Sequence, residues 1–303
     1  MSAATDPLAA WITERFGAAP VARGPVAGGC IHQASRLELA DGRRLFVKTN
    51  GAEALPLLEA EAEGLAALAA CAEAAELVVP APLGLGLAGD RAVLVLPWID
   101  LGGGRDAPGG GWAACGAALA RLHRRSRGTA VAAGDRCDAF GWPRDNFIGS
   151  SPQHNSWEDA WPRFFAERRL RPQLEALARR GDRLRQAGSL PARAAALLED
   201  HRPDPCLVHG DLWSGNAALA GDGRGVLIDP AVHRADREVD LAMARLFGGF
   251  PPAFFDGYQR EWPLPDGHRH RVALYNLYHL LNHANLFGAG YLAQAGAVID
   301  DLL

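Results

Sequence analysis

The sequence predicts an α+β protein of two lobes: a small β-rich N-terminal lobe over residues 1–100 and a larger, mainly helical C-terminal lobe over residues 101–303. Three observations lead there. Strand-like runs punctuated by turn residues crowd the first hundred positions. The tract Gly102-Gly103-Gly104, followed by Asp106-Ala107-Pro108-Gly109-Gly110-Gly111, interrupts the chain with residues that do not sustain regular structure. Long stretches rich in helix formers dominate the rest of the chain. The length, 303 residues, is generous for one compact core and fits two lobes of roughly 100 and 200 residues.

The N-terminal elements follow in order. Leu8, Trp11, Ile12 and Phe16 share one side of a helix over residues 8–16. A Gly/Pro-rich stretch, Gly24 to Gly29, leads into strands Ile31 to Leu39 and Arg44 to Thr49. Asp41-Gly42 between them is a hairpin turn, because glycine tolerates positive φ. Residues 53–70 combine Ala, Leu and Glu as a helix would. Val78-Val79-Pro80 and Arg91 to Leu96 read as further strands separated by Gly89-Asp90. In the C-terminal lobe the helices are placed at 112–126, 157–180, 188–200, 236–247 and 268–287. A compact β-rich insert lies between the third and fourth, with strands Cys206 to Val208, Ala217 to Leu219 and Val226 to Ile228 and a turn at Gly221-Asp222-Gly223.

Composition narrows the function classes. A net charge of −4 and a pI near 6.2 give no basic field for nucleic acid. No run of about 18 apolar residues is present to span a bilayer. The five cysteines have neither metal-finger nor redox-motif spacing, which fits a reducing compartment. The N-terminus lacks a basic-then-apolar leader. A cytoplasmic location is the expectation, with neither membrane nor nucleic acid as a partner.

The chemistry concentrates in His209-Gly210-Asp211-Leu212-Trp213-Ser214-Gly215-Asn216. Transfer of a γ-phosphoryl group needs a carboxylate to take the acceptor's proton, oxygen ligands for Mg²⁺ and a cation on the phosphates. Asp211 is the candidate base, and Asn216 follows it at the spacing of a phosphotransfer loop. Asp229 lies beyond a predicted hairpin that returns it to Asn216, so the two are the candidate metal ligands. Each residue alone has an ordinary explanation as a cap or turn residue; the combination points to chemistry. Lys48 ends the strand Leu45-Phe46-Val47-Lys48 and is placed to reach phosphate. Glu61 on the next helix could pair with it, and spacing leaves Glu59 and Glu63 as competitors. Gly28-Gly29 could let backbone N–H groups approach phosphates. At Pro97-Trp98-Ile99, the Pro97 carbonyl and the Ile99 N–H could hold adenine.

Together these residues resemble the fructosamine kinase, or ketosamine 3-kinase, family within the protein-kinase-like, aminoglycoside-phosphotransferase-like fold group. The matching segments run from about residue 24 to 291 and include Gly28-Gly29-Cys30-Ile31, Phe46-Val47-Lys48, Asp145-Asn146-Phe147-Ile148-Gly149-Ser150, the His209–Asn216 loop, Ile228-Asp229-Pro230 and Asp236-Arg237-Glu238-Val239-Asp240. Trp213 and the run Phe164-Phe165-Ala166-Glu167-Arg168-Arg169-Leu170 are the specific part.

The resemblance implies ATP- and Mg²⁺-dependent phosphorylation of the 3-hydroxyl of a ketosamine, whether a small molecule or a glycated protein. Release of the amine from the product makes the activity a deglycation. It also implies Glu61 as the partner of Lys48 and Asp211 as base, with Asn216 and Asp229 on magnesium and residues 97–99 on adenine. Trp213 falls at the sugar, and Asn146 and His283 on the acceptor wall. His209 and Asp240 are read as supports of the loop. Two departures stand out: His32 where the family often has Asn, and Pro97 where many relatives carry an N–H. Cys30, in the presumed phosphate loop, could form a reversible disulfide between two chains, so the expected state is a monomer or a redox-linked homodimer. Other small-molecule kinases of the same fold, acting on an aminoglycoside, choline or homoserine, stay open, as does a catalytically silent nucleotide-binding protein.

Overall fold

A computed structural model describes residues 6–27, 32–102 and 111–302. Helix α1 (Pro7–Phe16) starts on Asp6, whose carboxylate accepts from Leu8 N at 3.0 Å, and stops at Gly17 with φ 70°. Strands β1 (Pro20–Pro25), β2 (Gln33–Leu39) and β3 (Arg44–Gly51) come next, followed by α2 (Leu55–Cys71) and the short β4 (Leu77–Val78). Strands β5 (Gly84–Ala88) and β6 (Arg91–Pro97) complete an antiparallel sheet ordered β1-β2-β3-β6-β5.

The alternation along β6 explains its burial on both faces. Val93 and Val95 join Leu8, Ile12, Leu37 and Val47 under α1. Ala92, Leu94 and Leu96 join Leu58, Leu65 and Leu68 of α2.

The larger lobe opens with α3 (Gly111–Ser126) and the hairpin β7 (Asn146–Ile148) and β8 (Ser151–Gln153). Helix α4 (Trp161–Phe164) then runs through a π-helical turn (Phe165–Leu170) into α5 (Arg171–Arg179), followed by α6 (Leu190–Leu197). Four short strands come next: β9 (Cys206–Val208), β10 (Ala217–Leu219), β11 (Gly225–Leu227) and β12 (His233–Ala235). Helices α7 (Glu238–Leu246), α8 (Pro252–Glu261), α9 (His268–Phe287) and α10 (Ala289–Leu302) close the chain. Among the described residues no helix is long and apolar enough to cross a membrane.

Helices α3 and α8 meet through glycines. A Cβ at Gly116 would lie 1.9 Å from the Phe254 carbonyl oxygen, and one at Gly257 would lie 2.0 Å from that of Ala113. Backbone must move to admit either. Gly116→Ala is expected to cost about 2–4 kcal/mol, read as a fall in denaturant midpoint at unchanged slope; an unchanged midpoint would mean that the crossing relaxes freely.

The structure departs from the sequence reading in definite ways. Strand β4 joins β11 in parallel rather than the N-terminal sheet, tying residues before position 100 to the β-rich insert. The turn Gly89-Asp90 joins β5, which was not predicted, to β6. The insert is two sheets, β10-β11-β4 and β12-β9. Edge strand β1 went unpredicted because prolines end it and its side chains are mostly exposed, leaving no apolar alternation. The helix expected over 157–180 begins at Trp161 and is wound as a π-helix over Phe165–Leu170. Strands β7, β8 and β12 and helices α8 and α10 were also absent from the sequence reading.

Candidate active site

Strand β9 delivers His209-Gly210-Asp211 to a loop that the backbone could not form with another residue at its centre. Gly210 has φ +80°, and a Cβ there would lie 2.1 Å from the Ala231 carbonyl oxygen. Asp240, in the first turn of α7, anchors the loop. Its Oδ2 accepts from His209 N at 2.7 Å and its Oδ1 from Gly210 N at 2.8 Å. The His209 imidazole is buried; its Nδ1 accepts from Asp211 N at 3.3 Å, so its Nε2 donates to the Ile228 carbonyl at 2.9 Å. Burial lowers its pKa, against the pull of Asp240, and keeps the ring neutral.

Hairpin β10–β11 brings the two proposed metal ligands together. Ala217 pairs with Leu227, and Ile228 N donates to the Asn216 carbonyl at 3.0 Å. The Asn216 amide nitrogen donates to Asp211 Oδ2 at 3.1 Å, to the Asp211 carbonyl at 2.9 Å and to the Asp229 carbonyl at 3.3 Å. Its amide oxygen is the atom left for a cation. Asp229 has φ +55°, a left-handed conformation it shares with one other described non-glycine residue, Gln186. Such a backbone costs about 1–3 kcal/mol and persists where surroundings enforce it. Carboxylates and amide oxygens are the hard donors Mg²⁺ prefers, so Asp229 and Asn216 fit it chemically.

Lys48 Nζ bonds both Glu61 Oε1, at 2.7 Å, and Asp229 Oδ1. Burial disfavours its charge, but the two carboxylates outweigh this and raise its pKa, holding a permanent ammonium. Helix α2 comes this close because Gly64, almost one turn after Glu61, leaves only 3.2 Å between a would-be Cβ and the side chains of Pro230 and Val232. Of the competitors, Glu63 faces elsewhere: it takes Trp142 Nε1 at 2.9 Å and pairs with Arg144. Among 31 lysines and arginines, Lys48 is the only lysine. That signal was available in the sequence and went unused.

Asp211 carries the decisive shift. Burial pushes its carboxyl up to about 7; the Asn216 bond opposes this and the charges of Asp229 and Asp240 add to it. A base titrating near neutrality is matched to proton abstraction from a hydroxyl.

The remaining predicted residues are dispersed. Pro97 pairs with Leu45, and the ladder bond from Trp98 N to the Arg44 carbonyl makes this a non-hydrogen-bonded pair, so β3 does not use the Pro97 carbonyl. The Trp98 side chain lies under Arg36 and donates to Asp100 at 2.8 Å. Trp213 is 39% exposed and folds over Gly215, where a Cβ would meet its ring at 2.3 Å. Gly28, Gly29 and Cys30 lie outside the described residues. His32 Nδ1 faces Asn50 Nδ2 at 3.1 Å. The four other cysteines are free, and burial pushes Cys115 and Cys206 up to about 12.

The two acceptor-wall candidates have different surroundings. Asn146 is buried and its polar atoms are occupied: Nδ2 donates to the Val232 carbonyl at 2.7 Å, and Oδ1 accepts from Gln153 at 2.8 Å and Asn155 at 2.7 Å. His283 lies among aromatic rings on the C-terminal half of α9.

Sequence reasoning missed Arg169, on the π-turn. It is 1% exposed, donates to Asn155 Oδ1 at 2.7 Å and stacks on Phe164 and Tyr278, with no carboxylate among its bonds. Tyr278 donates to Gln153, which in turn donates to the Ala231 carbonyl at 3.1 Å, against Gly210. Only the Phe164–Leu170 run hinted at this. A cavity of about 600 Å³ beside Trp161 and Ala195 contains none of Lys48, Asp211 or Asp229, so volume does not mark the site.

A sequence model of the family described as fructosamine kinase matches residues 5–303. A probable ketoamine kinase of Synechocystis sp. is 45% identical over 93% of this chain and 90% of its own length. A chloroplastic protein-ribulosamine 3-kinase of Arabidopsis thaliana is 38% identical over 98% and 88%. The crystal structure of a candidate fructosamine-3-kinase from Thermobifida fusca superposes with a TM-score of 0.82 at 32% identity, over 98% of this chain and 99% of that one. An aminoglycoside phosphotransferase, at TM-score 0.63 and 17% identity over 99% and 98%, shares the fold alone.

Proposed function

Because this chain belongs to the fructosamine kinase family, we propose that it transfers the γ-phosphoryl group of ATP to the 3-hydroxyl of a ketosamine, the rearranged adduct of a sugar with an amine. Loss of the amine from the product then makes the reaction a deglycation. The observation that carries this reading is the meeting of Asp211, Asn216, Asp229 and the Lys48–Glu61 pair within one chain of bonds.

Each group has a role that follows from its chemistry. Asp211 accepts the hydroxyl proton as the oxygen attacks phosphorus and the bond to the ADP oxygen breaks. Asn216 keeps that carboxylate aimed through its amide nitrogen and offers its oxygen to Mg²⁺. Asp229, with Asn216, would hold the metal, which would leave the Lys48 ammonium, steadied by Glu61, for the phosphates. Magnesium, when bound, neutralises the charge that gathers on the transferred oxygens. The Pro97 carbonyl and the Ile99 N–H, which bonds no described residue, hold adenine, and Gly28-Gly29 the phosphates. The half-exposed Trp213 offers an indole face to the apolar side of the sugar.

A coupled assay with ribulosyl-lysine, fructosyl-lysine, choline and kanamycin tests the reading. Turnover of at least one ketosamine is expected. Turnover confined to choline or kanamycin would overturn the acceptor, and none at all would leave a nucleotide-binding protein.

A further inference from the structure

Helix α2 carries one carboxylate to the sheet and another to the larger lobe. Glu61 and Glu63 are two positions apart, so their side chains leave the helix axis about 200° from one another. Glu61 Oε1 accepts from Lys48 Nζ at 2.7 Å. Glu63 Oε1 accepts from Trp142 Nε1 at 2.9 Å, and Glu63 Oε2 pairs with Arg144. Among the described residues, the hydrogen bonds from α2 side chains to the larger lobe all come from Glu63. Arg144 is half-exposed, so its ion pair adds little; the indole N–H is the stronger tie.

That indole stands on a fixed base. Trp142 is 2% exposed, and its N donates to the Asn155 carbonyl at 3.0 Å. Gly141, before it, exchanges backbone bonds with Arg234 at 3.1 and 2.7 Å. With φ +141° and only 2.6 Å between a would-be Cβ and the Asn155 carbonyl oxygen, Gly141 has no room to shift. The Arg234 guanidinium is fully buried and makes two bonds of 2.6 Å to Asp135. Arg234 lies in β12 opposite Leu207 of β9, the strand that presents His209-Gly210-Asp211. The residue that holds Glu63 and the loop that carries Asp211 are thus fastened to the same pair of strands.

The remaining side-chain contact of the helix at this level is apolar. Gly64 packs against Pro230 and Val232, which sets how closely α2 approaches but leaves it free to turn about its axis. A turn of about 20° moves a carboxylate about 5 Å from the axis by on the order of 2 Å. Such a shift would carry Glu61 out of bonding distance of Lys48.

We propose that Trp142 is a positioning residue for the Lys48–Glu61 pair. Through Glu63 it sets the rotation of α2, and so the place where Glu61 holds the ammonium for the phosphates of ATP. Trp142 touches neither Lys48 nor Asp211 and acts across the helix. The inference rests on the role given to Lys48 in the proposed phosphoryl transfer.

Calorimetric titration of the full chain with ATP and Mg²⁺ tests it, because the stoichiometry counts folded molecules and the dissociation constant is read separately. Trp142→Phe keeps a buried ring and removes the N–H. It is expected to raise the Kd for ATP about tenfold, the loss of one well-placed charged bond. Glu63→Ala cuts the same tie from the helix side, where Ala suits the backbone, and should match it even if Trp142→Phe fails to fold. Glu61→Gln should also weaken ATP, and adding Glu63→Ala to it should cost nothing further, since both act through Lys48. An unchanged Kd in Glu63→Ala, or losses that multiply in the double variant, overturns the positioning role and leaves the phosphoryl-transfer reading standing. An unaltered protein that binds no ATP overturns that reading and the role of Trp142 with it.

Discussion

Replacing Asp211 with Asn is expected to lower kcat by about 10²–10⁴-fold, the range for losing a positioned general base, while making the folded protein more stable at pH 8. Asn keeps the shape and can still face Asn216, but it cannot take a proton. The gain in stability follows from linkage. The carboxyl titrates near 3.8 in an unfolded chain and at about 7 in the folded one. Between these values the folded state keeps a proton that the unfolded state has lost, so stability falls as pH rises through the window. Above pH 7 the full penalty applies; below pH 4 there is none. The shift sets a ceiling of about 4 kcal/mol, and the partial exposure of Asp211 reduces the expected gain to about 1–3 kcal/mol. Melting curves at pH 8 should place the variant about 2–6 °C above the unaltered protein, with the difference gone by pH 4. The unaltered enzyme should in turn lose kcat/KM as pH falls through about 7, because the base protonates. Equal melting temperatures at pH 8 would show that Asp211 is an ordinary exposed carboxylate and not the tuned base.

The grouping of Asp211, Asn216 and Asp229 was easier to read from the sequence than the pairing of the strands. Asp211, Asn216 and Asp229 are close in sequence, and one hairpin relates them, so spacing and turn residues sufficed. Lys48 and Glu61 lie on neighbouring elements, and choosing Glu61 over Glu63 required Gly64, which sets how α2 meets Pro230 and Val232. Strand partners were not legible: Val78-Val79-Pro80 read as one more N-terminal strand, but the strand is Leu77–Val78 and its partners, Gly225 and Val226, are far along the chain. Asn146 suits a pocket wall by type, and what the sequence does not show is that Gln153, Asn155 and the Val232 carbonyl occupy its polar atoms. Lys48 had a signal beyond its motif. A chain that uses arginine at every other long basic position keeps a compact ammonium where two carboxylates converge. An enzyme proposed to act on glycated amines thus carries one side-chain amine of its own, buried at 6% exposure.

The second large effect belongs to Asp240, which touches no substrate. It is 1% exposed and accepts three bonds, from His209 N, Gly210 N and His123 Nε2, the last at 3.1 Å. Burial pushes its pKa up, but the His123 bond and the neighbouring charges and N–H groups reverse this and keep it ionised. The donors are themselves ordered. Arg237 donates to the Tyr258 hydroxyl at 3.2 Å, which faces His123 Nδ1 at 2.9 Å, so His123 must present Nε2–H to Asp240. Asp240→Asn puts an NH₂ against either Gly210 N or both His209 N and His123 Nε2, because an amide accepts at one end only. Whichever way it turns, a buried N–H loses its acceptor, at about 2–4 kcal/mol. If His209 N or Gly210 N is the one released, the loop shifts and carries Asp211 with it. Displacing a catalytic group by about 1 Å costs on the order of 10²-fold. The expected variant therefore melts several degrees lower and loses about 10²-fold in kcat. Its KM for ATP should change far less, since Lys48 and residues 97–99 are held by the N-terminal sheet. Equal losses in kcat and ATP affinity would instead mean general damage to the fold. A variant with unaltered kcat would show that the glycine turn against Ala231 holds the loop without the carboxylate.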